Sequence, residues 1–405
     1  MAEPISERLS QAFKDFFQTE KAGSVVLILC TAFSLILANL VLGEPYARFW
    51  HGYLGPLTVE HWINDGLMAI FFLLIGLELK RELYVGELSS LKRASLPIIA
   101  AIGGVVVPAG IHLALNAGTP SQAGVGIPMA TDIAFAIGIL ALVGDRVPAS
   151  LKVFLVALAV MDDLAAIVVI AVFYTADLSV MYLVAALAMA GALAVANRLG
   201  VKTLFVYLIG GGIMWYLMLR SGVHATIAGV LLAFTIPFND PGVEHSPSGY
   251  LEHMLHKPVA FLILPIFALA NTGIIIESGF AEELMSANSL GIMLGLVLGK
   301  PVGITIASII AVTVGISRRP LDLGWKHIFG AGLLGGMGFT MSIFIANLAF
   351  PGDAFHITSS KMAIVLASLV AGIAGFVYLR MWGGMLATDM DPDTMDFESE
   401  LEEPN

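Results

Sequence analysis

The sequence predicts an all-α polytopic membrane protein with about twelve transmembrane helices, and three observations carry this prediction. Apolar residues (A, V, I, L, M, F, W, Y and C) make up 58% of the 405 residues, with 42 glycines in addition. Charged residues account for 13% of the chain, which is about half the share usual in soluble proteins. Apolar runs long enough to cross a bilayer recur along most of the sequence. These properties exclude a soluble globular enzyme, a disordered chain and a nucleic-acid-binding protein.

Twelve apolar segments can be recognised, and each is predicted to be one membrane span. Their approximate bounds are 24–43, 60–79, 95–115, 121–143, 151–174, 180–197, 203–219, 222–237, 257–276, 289–313, 327–350 and 361–385. The first segment is too long for the apolar region of a signal peptide, so we expect it to be retained as a span. The connection 44–59 is polar and contains Gly52, Gly55 and Pro56, and we expect it to form a small external hairpin.

Positively charged residues are distributed unevenly between the connections. If the N-terminus is cytoplasmic, sixteen of the twenty Lys and Arg residues fall on the cytoplasmic side, three on the other side and Lys300 within a span. Because basic residues concentrate in cytoplasmic loops, both termini are predicted to be cytoplasmic. Residues 1–388 are predicted to form a single transmembrane transporter domain, and the acidic segment 389–405 a disordered cytoplasmic tail.

Two predicted spans contain residues that interrupt a helix. In the fourth span, Gly124, Gly126 and Pro128 precede the segment Ala130-Thr131-Asp132, and in the eleventh span five glycines lie between positions 330 and 338. Unwound backbone at membrane depth is tolerated only where protein or a water-filled cavity satisfies it. The two spans are an odd number apart and therefore cross the membrane in opposite directions. This predicts an inverted repeat of spans three to five and ten to twelve, which is typical of transporters.

Charged residues also occur in the middle of predicted spans, where each costs at least about 2.5–3.5 kcal/mol. Asp162 and Asp163 lie in span five, Lys300 in span ten and Asp132 in the interrupted fourth span. Adjacent carboxylates on a helix point about 100° apart, so the two acids are predicted to face neighbouring walls of one cavity. Their oxygens suit a hard monovalent cation and also bind protons, and Lys300 can neutralise one acid when the cation is absent. Competition between cation and proton at one site predicts antiport.

Further titratable residues lie near the predicted ends of spans. They are Glu78, Glu82 and Asp65 of span two, Glu252, His253 and His256 before span nine, and His224 at the outer start of span eight. Asp65 is 13 residues before Glu78, which is about 20 Å along a helix toward the outer side. From the residues alone, each of these is either an ordinary solvated end charge or part of an ion pathway.

Six stretches together form a specific combination: Trp62-Ile63-Asn64-Asp65, Gly76-Leu77-Glu78-Leu79-Lys80-Arg81-Glu82, Ala130-Thr131-Asp132-Ile133-Ala134-Phe135-Ala136, Asp162-Asp163-Leu164, Leu251-Glu252-His253 and Gly299-Lys300-Pro301. On these stretches the chain resembles the NhaA-type bacterial sodium/proton antiporters, over nearly its whole length before the acidic tail. The resemblance implies twelve spans with interrupted, crossed spans four and eleven. It also implies a homodimer in which the 44–59 connection is a β-hairpin contact.

For function, the resemblance implies a secondary antiporter of the bacterial inner membrane. Such a protein exports Na⁺ or Li⁺ in exchange for a larger number of protons, is electrogenic and is activated at alkaline pH. Asp163 is then the main cation ligand, Asp162 its neighbour paired with Lys300, and Asp132 the charge that balances the half-helix N-termini. Thr131 completes the predicted cation and proton site. Na⁺, Li⁺ and protons are transported, so we expect no cofactor, and the expected partners are the bilayer and a second copy, without nucleic acid.

The resemblance further implies a pH response at the span ends. The residues matched to it are Glu78, Glu82, Glu252, His253 and His256, to which we add His224, while Asp65 is expected in a funnel that leads ions to the site.

Three other functions compete with antiport. A passive channel would need a continuous polar lining, whereas the charges here lie on interrupted spans. An intramembrane aspartyl protease also needs two buried aspartates, but the Gly-x-Gly-Asp context is missing around Asp132 and Asp162. A sodium-coupled solute symporter of related fold is the closest alternative, and Lys300 argues against it only weakly.

Overall fold

The computed structural model describes residues 5–175, 178–238, 246–276 and 279–384, so the predicted tail 389–405 lies outside the described residues. Within them the chain is almost entirely helical. Nine continuous helices of this part of the chain are long and apolar enough to cross a membrane. They are Lys21–Val41, Val59–Tyr84, Lys92–Asn116, Ala149–Phe173, Val180–Arg198, Leu204–Ser221, Pro247–Asn271, Ala287–Thr313 and Ala354–Trp382.

Two further spans are pairs of helices that bend at a short break. Pro120–Met129 and Ile133–Val143 meet at 41°, and Trp325–Gly335 and Phe339–Ala349 meet at 48°. The remaining predicted segment contains the shorter helix Ile227–Thr235. We number these segments spans one to twelve in chain order, so that the bent pairs are spans four and eleven. The predicted all-α membrane fold with two interrupted spans is confirmed.

The connection between spans one and two is more ordered than a simple hairpin. It begins with the helix Glu44–His51, and the strands Tyr53–Leu54 and Leu57–Thr58 then pair antiparallel. Gly55 turns the chain between the strands with a φ of +68°, a left-handed conformation that glycine adopts without strain.

Four described spans contain one widened helical turn each. These turns are Leu37–Val41 in span one, Trp62–Leu67 in span two, Val259–Ile263 in span nine and Gly295–Gly299 in span ten. In the last two, a proline follows closely, Pro265 and Pro301, and proline has no N–H for the regular helical hydrogen bond. The widened turn of span ten ends immediately before Lys300. Such turns are frequent at functional sites.

Spans three to five and ten to twelve have the same order of a long helix, a bent pair and a long helix. The long helices of the two units cross at Gly103 of span three and Gly303 of span ten. A Cβ atom on Gly103 would lie 2.3 Å from the carbonyl oxygen of Gly303, and a Cβ on Gly303 would lie 2.2 Å from the carbonyl oxygen of Gly103. This reciprocal contact is the one expected at the axis of an inverted repeat, and it requires glycine on both helices.

Two lysines that the sequence places in connections are in fact buried within helices. Lys80 donates hydrogen bonds to the carbonyl oxygens of Ala233 and Phe234 at 3.2 Å, and also to that of Ile236. These carbonyls end span eight, whose last turn has no further residues to bond with. Lys361 is 7% exposed near the start of span twelve. Its ammonium lies 3.3 Å from Asn271 Oδ1. The contacts of both lysines join segments that are far apart in the sequence, so local sequence does not predict them.

We predict that Gly103→Ala lowers the midpoint of thermal unfolding, because the added methyl group meets backbone that cannot move aside. Overpacking of this kind costs about 1–3 kcal/mol. The matched control is Gly110→Ala in the same helix, where nothing lies within 4 Å of the added atom. Thermal unfolding in detergent should separate the two variants, and equal midpoints would contradict the close crossing.

Candidate cation and proton site

Asp132 joins the two interrupted spans at their breaks. It precedes Ile133–Val143, and its Oδ1 accepts a hydrogen bond from the Phe135 N–H at 3.1 Å. Its Oδ2 accepts from the backbone N–H of Thr340 at 3.0 Å and from the Thr340 hydroxyl at 2.5 Å. Thr340 lies in the first turn of the second half of span eleven. One carboxylate therefore serves two helix N-termini, each of which carries partial positive charge.

The two backbone breaks also bond to each other. The Asp132 N–H donates to the carbonyl oxygen of Met337 at 2.6 Å, and the Ser342 hydroxyl donates to that of Ile127 at 2.7 Å. Lipid offers no hydrogen bonds to unwound backbone, so such internal partners are required at membrane depth. The crossing of spans four and eleven is thus held by reciprocal bonds.

Lys300 and Asp162 form a buried ion pair beside this crossing. The Lys300 ammonium donates to Asp162 Oδ2 at 2.5 Å, and both side chains are fully buried. The Thr131 hydroxyl lies 2.6 Å from the same carboxylate oxygen and 2.8 Å from the carbonyl oxygen of Gly335. Because a hydroxyl has one proton, Thr131 donates to one of these oxygens at a time. The negative charge of Asp162 is therefore compensated within the protein.

Asp163 has different surroundings from its neighbour. It lines a cavity of about 30 Å³ together with Asp132, Thr340 and Glu78. The Oδ1 atoms of both acids are buried without a hydrogen-bond partner among the described residues, but of the two only Asp162 forms an ion pair there, with Lys300. Since a water needs about 10–15 Å³, the cavity has room for about two waters. Asp162 points to Lys300 and Asp163 to the cavity, so the two acids face different neighbours.

The two acids do not gather further acidic or histidine ligands around one point. Among the residues that the structure describes, no group of three or more His, Cys, Asp and Glu side chains is placed to hold a metal ion. A monovalent cation at Asp163 would take its other ligands from neutral oxygens, such as the Thr340 hydroxyl, backbone carbonyls and water. Hard cations accept all of these oxygen donors.

The same cavity extends to Glu78 of span two and His256 of span nine. Beside it, Arg81 joins the two spans: its Nη1 lies 2.9 Å from Glu82 Oε1, and its Nε donates to Glu252 Oε1 at 2.9 Å. Four residues predicted for the pH response therefore come together around one guanidinium. We call this end of the cavity the Glu78 end.

The other predicted residues lie apart from this group. His253 is exposed on the helix that carries Glu252. His224 lies near Asp65 instead, with 3.5 Å between its Nε2 and Asp65 Oδ1, and the Trp215 ring N–H donates to the Asp65 carbonyl oxygen at 2.9 Å. His224 thus belongs with Asp65, about 20 Å along span two from Glu78, and not with the Glu78 end.

Two residues of the site were not assigned from the sequence. Arg81 stands beside Glu82 in a matching stretch, so its acidic neighbour was a usable signal. Thr340 follows the glycine run of span eleven, but its partner Asp132 is 208 residues away. No local pattern predicts a contact over that distance.

Comparison with known proteins agrees with this geometry. Residues 14–379 match the sequence model of a family described as Na+/H+ antiporter 1. The chain belongs to this family. The match therefore confirms the family resemblance that the six sequence stretches indicate.

Individual relatives are similar over nearly their full length. A protein from Dechloromonas aromatica is 62% identical over 93% of this chain and 97% of its own length. One from Cytophaga hutchinsonii is 58% identical over 92% of this chain and 96% of its own. Both are described as Na(+)/H(+) antiporter NhaA. Among solved structures, the sodium proton antiporter MjNhaP1 from Methanocaldococcus jannaschii has a TM-score of 0.53 at 16% identity, with 93% of this chain and 97% of that chain covered. This last likeness concerns the fold.

We predict that Lys300→Met destabilises the protein strongly, because it leaves the buried Asp162 carboxylate without its charge partner. Removal of one member of a buried pair costs about 3–5 kcal/mol. Adding Asp162→Asn to that variant should recover a large part of the lost stability, because the unpaired buried charge is then removed as well. Thermal unfolding of the two single variants and the double variant measures this coupling, and additive losses would contradict it.

Proposed function

We propose that this chain exchanges Na⁺ for protons across the bacterial cytoplasmic membrane, and that the two ions compete for Asp163. The observation that carries the proposal is the environment of this carboxylate. It lines a cavity and, unlike Asp162, forms no ion pair with any described residue. The relatives described as Na(+)/H(+) antiporters support the choice of the two ions.

Exchange follows from the cost of a buried charge. An isolated carboxylate away from water is strongly unfavourable, so Asp163 is occupied either by a proton or by a cation. When the proton leaves toward water, Na⁺ compensates the carboxylate, and when the proton returns, Na⁺ loses its charged ligand. The site without either ion is disfavoured, and the disfavoured empty state limits uncoupled movement of either ion.

We assign a second proton to the Asp162–Lys300 pair, which makes the exchange electrogenic. Lys300 and Thr131 stabilise Asp162 as a carboxylate. A change at either partner therefore alters how tightly Asp162 binds a proton. Movement of one net charge is worth about 2.3 kcal/mol per 100 mV. Na⁺ flux in proteoliposomes therefore responds to a clamped membrane potential, and a flux that ignored the potential would instead mean one proton per Na⁺.

Li⁺ is included as a substrate because it is also a hard monovalent cation.

For the pH response we propose the residues around Arg81, since they join spans two and nine beside the cavity. The competing account needs no sensor, because protons at Asp163 alone oppose Na⁺ at low pH. Measuring the pH dependence of activity at different Na⁺ concentrations distinguishes these accounts.

We also propose a homodimer with the hairpin 53–58 as a contact. Its side chains Tyr53 and Leu54 are 81% and 63% exposed, which leaves apolar surface that a second copy would bury. The bias of Lys and Arg supports cytoplasmic termini, with residues 1–388 as one transporter domain. In that orientation the Glu78 end of the cavity faces the cytoplasm.

The alternative of a sodium-coupled solute symporter is disfavoured by the size of the site. Pockets for organic ligands usually enclose about 300–1,000 Å³, whereas the cavity at Asp163 has about 30 Å³. That volume suits a cation with a water and excludes an organic solute in this conformation.

We predict that Asp163→Asn abolishes Na⁺-dependent proton movement, because the amide cannot exchange a proton for a cation. The protein should still insert and fold, since asparagine has nearly the same volume. Dye-monitored pH gradients in everted vesicles provide the measurement, with Glu282→Gln, at an exposed position, as the control that retains activity. Full exchange by Asp163→Asn would remove Asp163 from the reaction.

We predict that the pH of half-maximal activity falls as Na⁺ rises, because more Na⁺ is needed to displace protons at low pH. A tenfold increase should lower it by about one pH unit if one proton competes, and by about half a unit if two compete. The same series in His256→Gln and in the control His51→Gln, at an exposed histidine of the connection between spans one and two, tests the sensor. A profile that does not move with Na⁺ would contradict competition, and a shift confined to His256→Gln would support the sensor.

A further inference from the structure

A second polar cluster lies far from the Asp163 cavity, at the opposite ends of spans two and nine. We call it the Asn271 junction, and it consists of Asn64, Asn271, Asn347 and Lys361. Asn271 is 1% exposed and ends span nine. The other members come from span two, the second half of span eleven and span twelve, so four spans meet at one amide.

The contacts of the Asn271 amide use both of its ends. Its Nδ2 donates to Asn64 Oδ1 at 2.9 Å and to the carbonyl oxygen of Phe267 at 3.0 Å. Its Oδ1 accepts from Asn347 Nδ2 at 2.7 Å and lies 3.3 Å from the Lys361 ammonium.

Lys361 fixes the direction of these bonds. An ammonium group can only donate, so the Asn271 oxygen must face it. The Asn271 amino group then faces Asn64, which must present its oxygen. A single buried lysine thereby orients the junction, and Asn64 immediately precedes Asp65 in span two.

The junction borders a cavity of about 490 Å³ that shares no lining residue with the Asp163 cavity. This larger cavity reaches Asn271 and Lys361 and is also lined by Glu60 and Trp50. We call this the Lys361 side. The Asp163 cavity, by contrast, is lined by residues at the Glu78 end.

Aromatic rings pack directly behind the junction. Phe344 lies 5.5 Å from Phe72 and 6.5 Å from Phe267 between ring centroids, and Phe344 itself is fully buried. Phe267 is one helical turn before Asn271, and Phe344 is three residues before Asn347 on the same half-helix. The rings and the junction therefore lie together and close the Lys361 side of the protein.

We propose that Asn271 is a positioning residue that keeps the Lys361 side closed while the Asp163 cavity communicates with the Glu78 end. The second half of span eleven begins near Thr340, which binds Asp132, and reaches the junction about two turns later. A movement of this half-helix that exposed Asp163 to the Lys361 side would have to separate Asn347 from Asn271. The junction thus couples the ion site to access from the far side, and this inference rests on the proposed exchange function.

The test measures access to a reporter cysteine from each side of the membrane. Ala346→Cys, fully buried in the half-helix, is introduced after the native thiol is removed by Cys30→Ser. A membrane-impermeant maleimide is then applied to sealed vesicles of either orientation. Three backgrounds are compared with the parent: Asn271→Leu, which removes all amide bonds, Asn271→Asp, which still accepts from Lys361 and Asn347, and Asn116→Leu, which breaks a buried amide between spans three and ten.

We expect Asn271→Leu to raise labelling from the Lys361 side by about tenfold, as loss of one to two hydrogen bonds would, without a change from the Glu78 end. Asn271→Asp should remain near the parent, because the Asn64 amide can turn to donate to the new carboxylate. Should Asn271→Leu fail to fold, Asn347→Leu removes a single bond and should give a smaller rise in the same direction.

Unchanged labelling, an equal rise from both sides, or the same rise in Asn116→Leu would overturn the proposal. The labelling does not depend on transport, so it also separates two failures. A parent protein without Na⁺-dependent proton movement would refute the proposed function, whereas the side dependence of labelling would still decide the role of Asn271.

Discussion

A carboxylate buried in a membrane protein must be compensated, and this structure compensates three of them in different ways. Asp132 lies against the N-termini of two half-helices. Asp162 is paired with Lys300. Asp163, directly adjacent in the chain, lines a cavity and forms no ion pair with any described residue. The first two carboxylates have partners within the fold, so the third is the one whose charge is compensated by a mobile ion.

The remainder of the architecture serves this arrangement. The half-helix ends that hold Asp132 exist only because spans four and eleven are interrupted, and their unwound backbone is satisfied by bonds across the crossing. The glycine contact lets span ten pack closely against span three, and Lys300 of span ten bonds to Asp162 of span five. At the far end of the same half-helix of span eleven, Asn347 meets Asn271. One half-helix therefore connects the ion site to the Asn271 junction.

Much of this fold could be predicted because membrane insertion imposes strong local rules. Long apolar runs and the glycines of span eleven each predicted the correct feature from a short stretch of sequence. The adjacent acids of span five were expected to face one cavity, but only Asp163 lines it, while Asp162 faces Lys300. The features that the sequence did not predict have a common physical cause: each is a contact between residues that are far apart in the sequence. Lys80 was counted as an end charge, yet it binds the end of span eight. His224 was grouped with Glu252, yet it lies beside Asp65. The Asn271 junction joins four spans, and no local pattern indicates that four scattered polar residues share one amide.

The most direct test of the account is the number of protons released when Na⁺ binds to the purified protein. Calorimetric titrations with Na⁺ in buffers of different ionisation enthalpy provide this number, because each released proton adds the heat of buffer protonation. The account predicts an observed heat that varies linearly with buffer ionisation enthalpy, with a slope of at least about one proton per Na⁺, and no such dependence in Asp163→Asn. A binding heat that is the same in every buffer would show that Na⁺ and protons do not compete for Asp163, and would contradict the central claim.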